Sequence, residues 1–510
     1  MPDGGDSAAP GGDGASRVAR NIGAMAGGQV VTWSMSLLWT LVVPRALGPA
    51  GMGIVVTAWS VTGVLGVVLG LGTRNYLVRE MVVRRSDSSR LLGTAIVLRV
   101  ALAPLFALAA LAYLRFADVG GDARVVLWLA VAATILTQVA EPLQAAFQAL
   151  ERMEYLAYSD VISKSAQGLL GVALAVAGFG AVAITGCWAA MAAVVVVLDV
   201  IWLRGRVPVV LRTSGARLAG MVRQSAAYWA FGFFFTIYLW VDALMLSLLT
   251  RPEVVGWYGV PMKLFQTFMF LPVVISTAWL PRLVRAFVAG GTGRLRRAAR
   301  APVELTVVLS LPIAAAIAIA ARPVVDLLYG PGYRESVPVI VVLALCIPPM
   351  YLNIMLNQVL VAARRQIAWT WVMAGATVLN PALNAVLIVV AQRRYGNGAI
   401  GAAVSLLLTE LAIVTAGMLL VGRGVVDRRV ARRVALTGVA SSAACAAALA
   451  AQPLGTLASL AFAAVTFAAL ALALRLMTRG EAEAVRAAAR RVLAGRPALR
   501  RRAAAAAAPE

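Results

Sequence analysis

The chain has 510 residues, 61% of them hydrophobic and 13% charged, with a formal net charge of +24 and no histidine. Soluble domains run near 45–50% apolar and about 25% charged, so this composition, with a mean hydropathy of +0.85, excludes an ordinary soluble protein. The missing histidine, with three cysteines (Cys187, Cys346, Cys445) all inside apolar runs, excludes His-based acid–base chemistry, His/Cys metal sites and a disulfide framework.

Residues 1–16 are mainly Gly, Asp, Ala and Pro with nothing to bury, and read as a disordered cytoplasmic tail. They lack the basic start and apolar stretch of a signal peptide. Apolar runs then recur, each long enough to cross a hydrocarbon core of about 30 Å. No pattern of short alternating strands accompanies them, so helices must satisfy the backbone inside the lipid. Spans are predicted at roughly 20–44, 53–73, 91–114, 125–149, 157–178 and 181–203. A second set follows at roughly 224–249, 257–280, 301–321, 337–361, 367–391 and 399–421, then a pair at roughly 434–451 and 456–476. The fold class is therefore all-α: a polytopic membrane protein of about fourteen transmembrane helices. It divides into an N-lobe (17–203), a cytoplasmic linker (204–223), a C-lobe (224–421), the final pair (434–476) and a basic cytoplasmic tail (477–510). That tail reads either as an amphipathic helix on the membrane surface or as solvated chain. No cofactor is expected. Neither lysine follows a glycine, so the phosphate-binding loop of an ATPase is missing, and energy must come from an ion gradient, the membrane potential or the substrate's own gradient.

With the N-terminus inside, 35 of the 46 basic residues fall in cytoplasmic segments or at the adjoining helix ends. Eight fall in the opposite loops and three within helices. The positive-inside rule predicts that asymmetry, and a single missed helix would invert it. Both termini are thus placed in the cytoplasm. The charge is topogenic and contacts anionic lipid, and no nucleic-acid partner is implied.

An internal repeat is legible. Moving 20–53 forward by 203 positions superposes Arg20 on Arg223, Pro49 on Pro252 and Gly53 on Gly256. A shift of 213 places Leu143 and Gln144 on Leu356 and Asn357, and Arg152 on Arg365. Both shifts map helices 1–6 onto 7–12 in order, so the six-helix lobes are parallel repeats about an axis normal to the membrane.

The stretch PRALGPAGMGIVVTAWSVTGVLGVVLGLG (44–72), with its following basic loop, and the second-half stretch beginning VDALMLSLLTRPEVVGWYGV (from 241) have the look of one hairpin repeated. With PVVDLLYGPGYRESVPVI (323–340), the segment 360–389 and GAIGAAVSLLLTE (398–410), the chain resembles the multidrug/oligosaccharidyl-lipid/polysaccharide flippase superfamily, in its polysaccharide-transport branch. The resemblance implies a two-lobed, alternating-access transporter located in the cytoplasmic membrane. It also implies an undecaprenyl-diphosphate-linked oligosaccharide as cargo for cell-surface polysaccharide synthesis, with polysaccharide-assembly enzymes as possible partners.

An ionisable side chain at the bilayer centre costs roughly 2.5–3.5 kcal/mol on insertion scales, so each one calls for a reason. Among 44 arginines stand only two lysines, Lys164 and Lys263, both in predicted helices. Asp242 and Lys263 sit on consecutive helices at matching depth in the outer half, which predicts an ion pair, either self-neutralising or facing a cavity. The inner half of the first lobe gathers Arg74, Arg99, Glu141, Asp160 and Lys164. Arg99 and Glu141 lie at a depth that permits pairing, and the net positive charge suits a diphosphate taken up at Arg74, Arg99 or Lys164 and passed toward Lys263. Asn353, Asn357, Gln358, Asn380 and Asn384 offer amides that suit a hydroxyl-rich cargo, or else bond between helices. Glu410, without a basic partner nearby in sequence, is either protonated in lipid or part of ion coupling.

Two rival functions remain at this stage. A cation-coupled multidrug exporter of the same superfamily calls for an acidic, aromatic pocket. A membrane polysaccharide polymerase or glycosyltransferase calls for a large external loop or a cytosolic catalytic domain, and no loop here exceeds roughly twenty residues. A transporter without enzymatic activity is the expectation.

Overall fold

The computed structural model describes residues 13–117, 120–422 and 424–476. Among these residues there are helices and no strands. In chain order they are α1 (Asp13–Gly70), α2 (Thr73–Val83), α3 (Ser88–Phe116), α4 (Gly121–Ala149), α5 (Met153–Val176), α6 (Ala181–Leu203) and α7 (Gly215–Leu249). They continue with α8 (Pro252–Phe268), α9 (Phe270–Val324), α10 (Ser336–Ala362), α11 (Gln366–Tyr395), α12 (Gly398–Val421), α13 (Arg428–Ala450) and α14 (Thr456–Ala473). Eleven stretches among the described residues are long and apolar enough to cross a membrane.

Several segments expected as loops are helical. The stretch 45–52 continues α1, interrupted only at Gly48 (φ 69°, ψ 175°). Pro49, directly after it, has no N–H to lose in the first turn of the next segment. The expected cytoplasmic loop 281–300 lies inside α9, broken only at Gly290 and at Gly291, whose φ of 59° is open to glycine. Residues 73–83 form α2, and the expected linker is helical from Gly215, where the Ser214 hydroxyl accepts from the Arg217 N–H at 3.4 Å. Hydropathy reports where lipid solvates a helix and is silent on helix continuing into water. The break expected at 178–180 is present, with Gly178 at φ 84°. Of the tail 1–16, residues from Asp13 onward are helical, and residues 1–12 and 477–510 lie outside the described residues.

The two halves use the same packing partners. α1 packs on α5 as α7 packs on α11, and α4 on α6 as α10 on α12. They meet where the second segment of α1 crosses α8. A Cβ on Gly53 would lie 1.7 Å from the Pro252 carbonyl oxygen, and one on Gly256 would lie 2.1 Å from the Pro49 carbonyl oxygen. Each residue touches the repeat equivalent of its own neighbour, the reciprocity that a two-fold axis imposes. Only glycine permits that approach. Around it, Tyr333 donates to the Pro44 carbonyl at 2.9 Å, Trp257 Nε1 to the Gly332 carbonyl at 3.0 Å, and Arg45 to the Leu327 carbonyl at 3.0 Å. These contacts tie the halves together at one end.

Candidate functional site

A cavity of about 580 Å³ begins beside that contact and follows α1 from Val55 to Gly70 and on to Gly72, bounded also by α4, α5, α6, α7 and α8. Both lysines of the chain line it. Lys164 comes from α5, where it is exposed to the cavity. Lys263 comes from α8, half-buried, with Nζ 5.0 Å from the centre of the Trp59 ring. Among the described residues no carboxylate lines the cavity. Five tryptophans do: Trp39, Trp59, Trp188, Trp229 and Trp240. Trp59 is central, 5.3 Å from Trp39 and 6.4 Å from Trp188, edge-on to the latter.

The tryptophans are seated on glycines. A Cβ on Gly63 would lie 2.8 Å from the Trp240 ring, and one on Gly171 would lie 3.2 Å from that of Trp39. Any larger residue at Gly63 would displace the Trp240 indole.

Lys263 does not pair with Asp242. The Asp242 carboxylate accepts from the Tyr258 hydroxyl at 2.7 Å and from Asn384 Nδ2 at 2.7 Å, and Asn384 also donates to Asn380 Oδ1 at 2.9 Å. Matching depth leaves helix phase open: Lys263 lies five positions beyond Tyr258, which rotates it roughly 140° away from the Asp242 side. Lys263 therefore faces the cavity that Lys164 also lines.

Arg99 is also elsewhere than in the cavity wall. It is fully buried and ion-paired with Glu141, Nη2 to Oε2 at 2.7 Å. The same guanidinium donates to Thr73 Oγ1 at 2.7 Å, to the Gly70 carbonyl at 2.8 Å, to the Gln138 carbonyl at 3.3 Å, and to the Leu69 carbonyl. It thereby caps the carbonyls at the end of α1 and holds the floor of the cavity, with its charge consumed by protein acceptors. Arg74 is half-buried in the first turn of α2, two residues from the cavity-lining Gly72, and is not itself among the lining residues.

The amides expected to meet sugar line no part of the cavity either. Asn380 and Asn384 belong to the buried Asp242 network. Asn353 donates to Glu410 Oε2 at 3.0 Å, while Tyr238 donates to Oε1 at 2.5 Å. Asn357 and Gln358 are half-buried on α10. Of the two uses open to these amides, three of the five bond between or along helices. Glu410 is fully buried with neutral donors as its partners.

The tryptophans, Gln138 and Thr185 are additions to the residues expected from sequence. A signal was available: membrane tryptophans normally sit in belts at the two interfaces, whereas Trp59 and Trp188 fall well inside their spans. Another buried acid was missed, Asp199, which accepts from Ser159 at 2.5 Å and Gln144 at 3.3 Å. Among the described residues, no group of three or more His, Cys, Asp or Glu side chains could hold a metal ion.

The chain matches the family model described as "Polysaccharide biosynthesis protein" over residues 18–287, more than half its length, and the model described as "MatE" over residues 230–386. No curated protein matches it by sequence. Among solved structures, it is similar to the lipid II flippase MurJ in an inward closed conformation, with a TM-score of 0.69 at 11% identity, covering 90% of this chain and 99% of that one. An inward-facing multidrug resistance MATE family transporter of the MOP superfamily gives a TM-score of 0.58 at 14% identity, covering 80% and 98%. A ligand complex of the MATE multidrug transporter DinF-BH gives 0.55 at 14% identity, covering 80% and 96%.

Proposed function

We propose that this chain, which belongs to the polysaccharide biosynthesis protein family and with it to the MOP superfamily of transporters, translocates a polyprenyl-diphosphate-linked oligosaccharide across the cytoplasmic membrane by alternating access. One observation carries the reading: among the described residues, the cavity is lined by Lys164 and Lys263 and by no carboxylate. Two fixed ammonium groups attract a diphosphate and repel an organic cation. That charge balance favours a lipid-linked anionic cargo over the drug-exporter alternative. In this reading Lys164 and Lys263 hold the diphosphate together, and Arg74 stands near the entry.

The proposed topology has fourteen spans with both termini cytoplasmic. It counts α1 and the 252–329 stretch as two spans each and adds α5 to the eleven. The end sealed around Gly53 and Gly256 is then the external one, and the cavity extends inward from it. The N-lobe, linker and C-lobe bounds belong to this proposal too, with the linker shortened by the start of α7 at Gly215. Transport without enzymatic activity, and hand-over to polysaccharide-assembly enzymes, complete it.

The test is flipping of a fluorescent polyprenyl-diphosphate disaccharide in proteoliposomes. Each charge-assisted contact is worth ~1.5–3 kcal/mol, so the Lys164→Gln, Lys263→Gln double variant should flip more than about tenfold more slowly. Wild-type flipping by the double variant would overturn the reading, as would efficient movement of a cationic dye by the unmodified protein.

A further inference from the structure

We infer that the tryptophan cluster centred on Trp59 is a saccharide subsite, which binds the sugar ring next to the diphosphate and makes the protein select glycosylated cargo over the bare carrier lipid. This rests on the diphosphate reading of Lys164 and Lys263 and extends it to the uncharged part of the cargo.

The cavity combines two kinds of surface. Trp39, Trp59 and Trp188 present flat apolar faces and edges at 5.3 and 6.4 Å ring separations. Gln138 and Thr185 line the same space, and Gln138 Oε1 and Thr185 Oγ1 are buried with no hydrogen-bond partner. Thr185 is only 2% exposed. A buried polar atom left unpaired is costly and needs a partner that a bound molecule can supply. A sugar ring answers both demands at once. Its axial C–H groups form an apolar face that lies against an aromatic ring, and its hydroxyl rim both donates and accepts. An isoprenoid chain would cover the indoles and leave the amide and hydroxyl unpaired.

Lys263 fixes the order of the two subsites. Its ammonium sits 5.0 Å over Trp59, so a phosphate held by Lys263 places the attached sugar against the neighbouring indoles. At about 580 Å³, within the roughly 300–1,000 Å³ of small-ligand pockets, the space suits a diphosphate with a short saccharide and not a finished polymer. Binding here therefore reads the reducing-end sugar, and the remaining units must extend beyond the cavity.

The experiment measures binding to the purified full-length protein in detergent, using two soluble probes: a short-chain prenyl diphosphate, and the same molecule carrying a disaccharide. The unmodified protein should bind the glycosylated probe about tenfold more tightly, as expected for one aromatic stacking contact with its hydrogen bonds. Trp188→Leu should erase that preference while leaving the bare diphosphate affinity unchanged, and Trp59→Ala, which also removes the ring beneath Lys263, should erase the preference whatever it does to the bare diphosphate affinity. Trp59→Phe should keep most of it and serves as the folding control. Equal affinity of the unmodified protein for both probes, or equal losses for both in Trp188→Leu, would overturn the sugar subsite and leave the diphosphate reading standing. Failure to bind either probe would overturn both.

Discussion

The two halves of the molecule repeat one helical scaffold, yet one is hollow where the other is filled. In the second half, buried residues of α7–α12 merge into one large apolar cluster that includes Tyr238, Tyr258 and Tyr351. In the first half, the buried residues divide into several smaller clusters around the cavity. Equivalent positions make the contrast concrete. The shifts of 203 and 213 map Trp39 onto Asp242 and Gly171 onto Asn384. In the first half, Gly171 leaves room for the Trp39 indole. In the second, Asn384 donates to Asp242 at 2.7 Å. The same helix–helix contact thus either admits an aromatic wall or ties off a buried acid. Small residues let membrane helices approach closely and polar ones bond them together, and this protein uses one device in each half.

The largest expected effect concerns the floor of the hollow half. Arg99→Ala would leave Glu141 without its cation and strip the donor from the other acceptors around the end of α1, and breaking a buried pair typically costs about 3–5 kcal/mol. Thermal unfolding in detergent should show a correspondingly lower midpoint, partly restored by adding Glu141→Gln. An unchanged midpoint would mean that Arg99 is not a structural plug, and would return it to the group of cargo contacts.

In the filled half, Asp242→Ala removes the acceptor for Tyr258 and Asn384, and each buried partner left unsatisfied costs about 1–3 kcal/mol. The midpoint should fall, while affinity for a prenyl diphosphate should stay at the wild-type value. A loss of diphosphate binding in this variant would erase the distinction between the halves.

The smallest stability effect should come from importing the second half's chemistry into the first. Gly171→Asn places a side chain against the Trp39 indole, where a Cβ alone would already lie 3.2 Å from the ring. The indole borders open cavity and can give way, so stability should change by about 1 kcal/mol or less and the midpoint only slightly, while preference for the glycosylated probe falls. Unaltered sugar preference would separate Trp39 from the subsite.

Much of this architecture was legible in the sequence. Composition and hydropathy determined an all-helical membrane protein, because a chain in hydrocarbon has few ways to satisfy its backbone. The repeat was visible from Pro49, Gly53, Pro252 and Gly256, because the crossing of α1 and α8 leaves no space for a Cβ and so restricts residue choice directly. The two lysines, rare in this chain, both line the cavity. What the sequence left undetermined was azimuth and company. Depth can be counted along a helix at 1.5 Å per residue, and that placed Arg99 opposite Glu141. Which way Lys263 faced depended on the packing of α8 against both halves, and tertiary structure turned it from Asp242 to Trp59. Likewise, the amides of Asn353, Asn380 and Asn384 suit a sugar and a carboxylate equally well, and only the arrangement of α7, α10, α11 and α12 around them decided that they bond to Asp242 and Glu410.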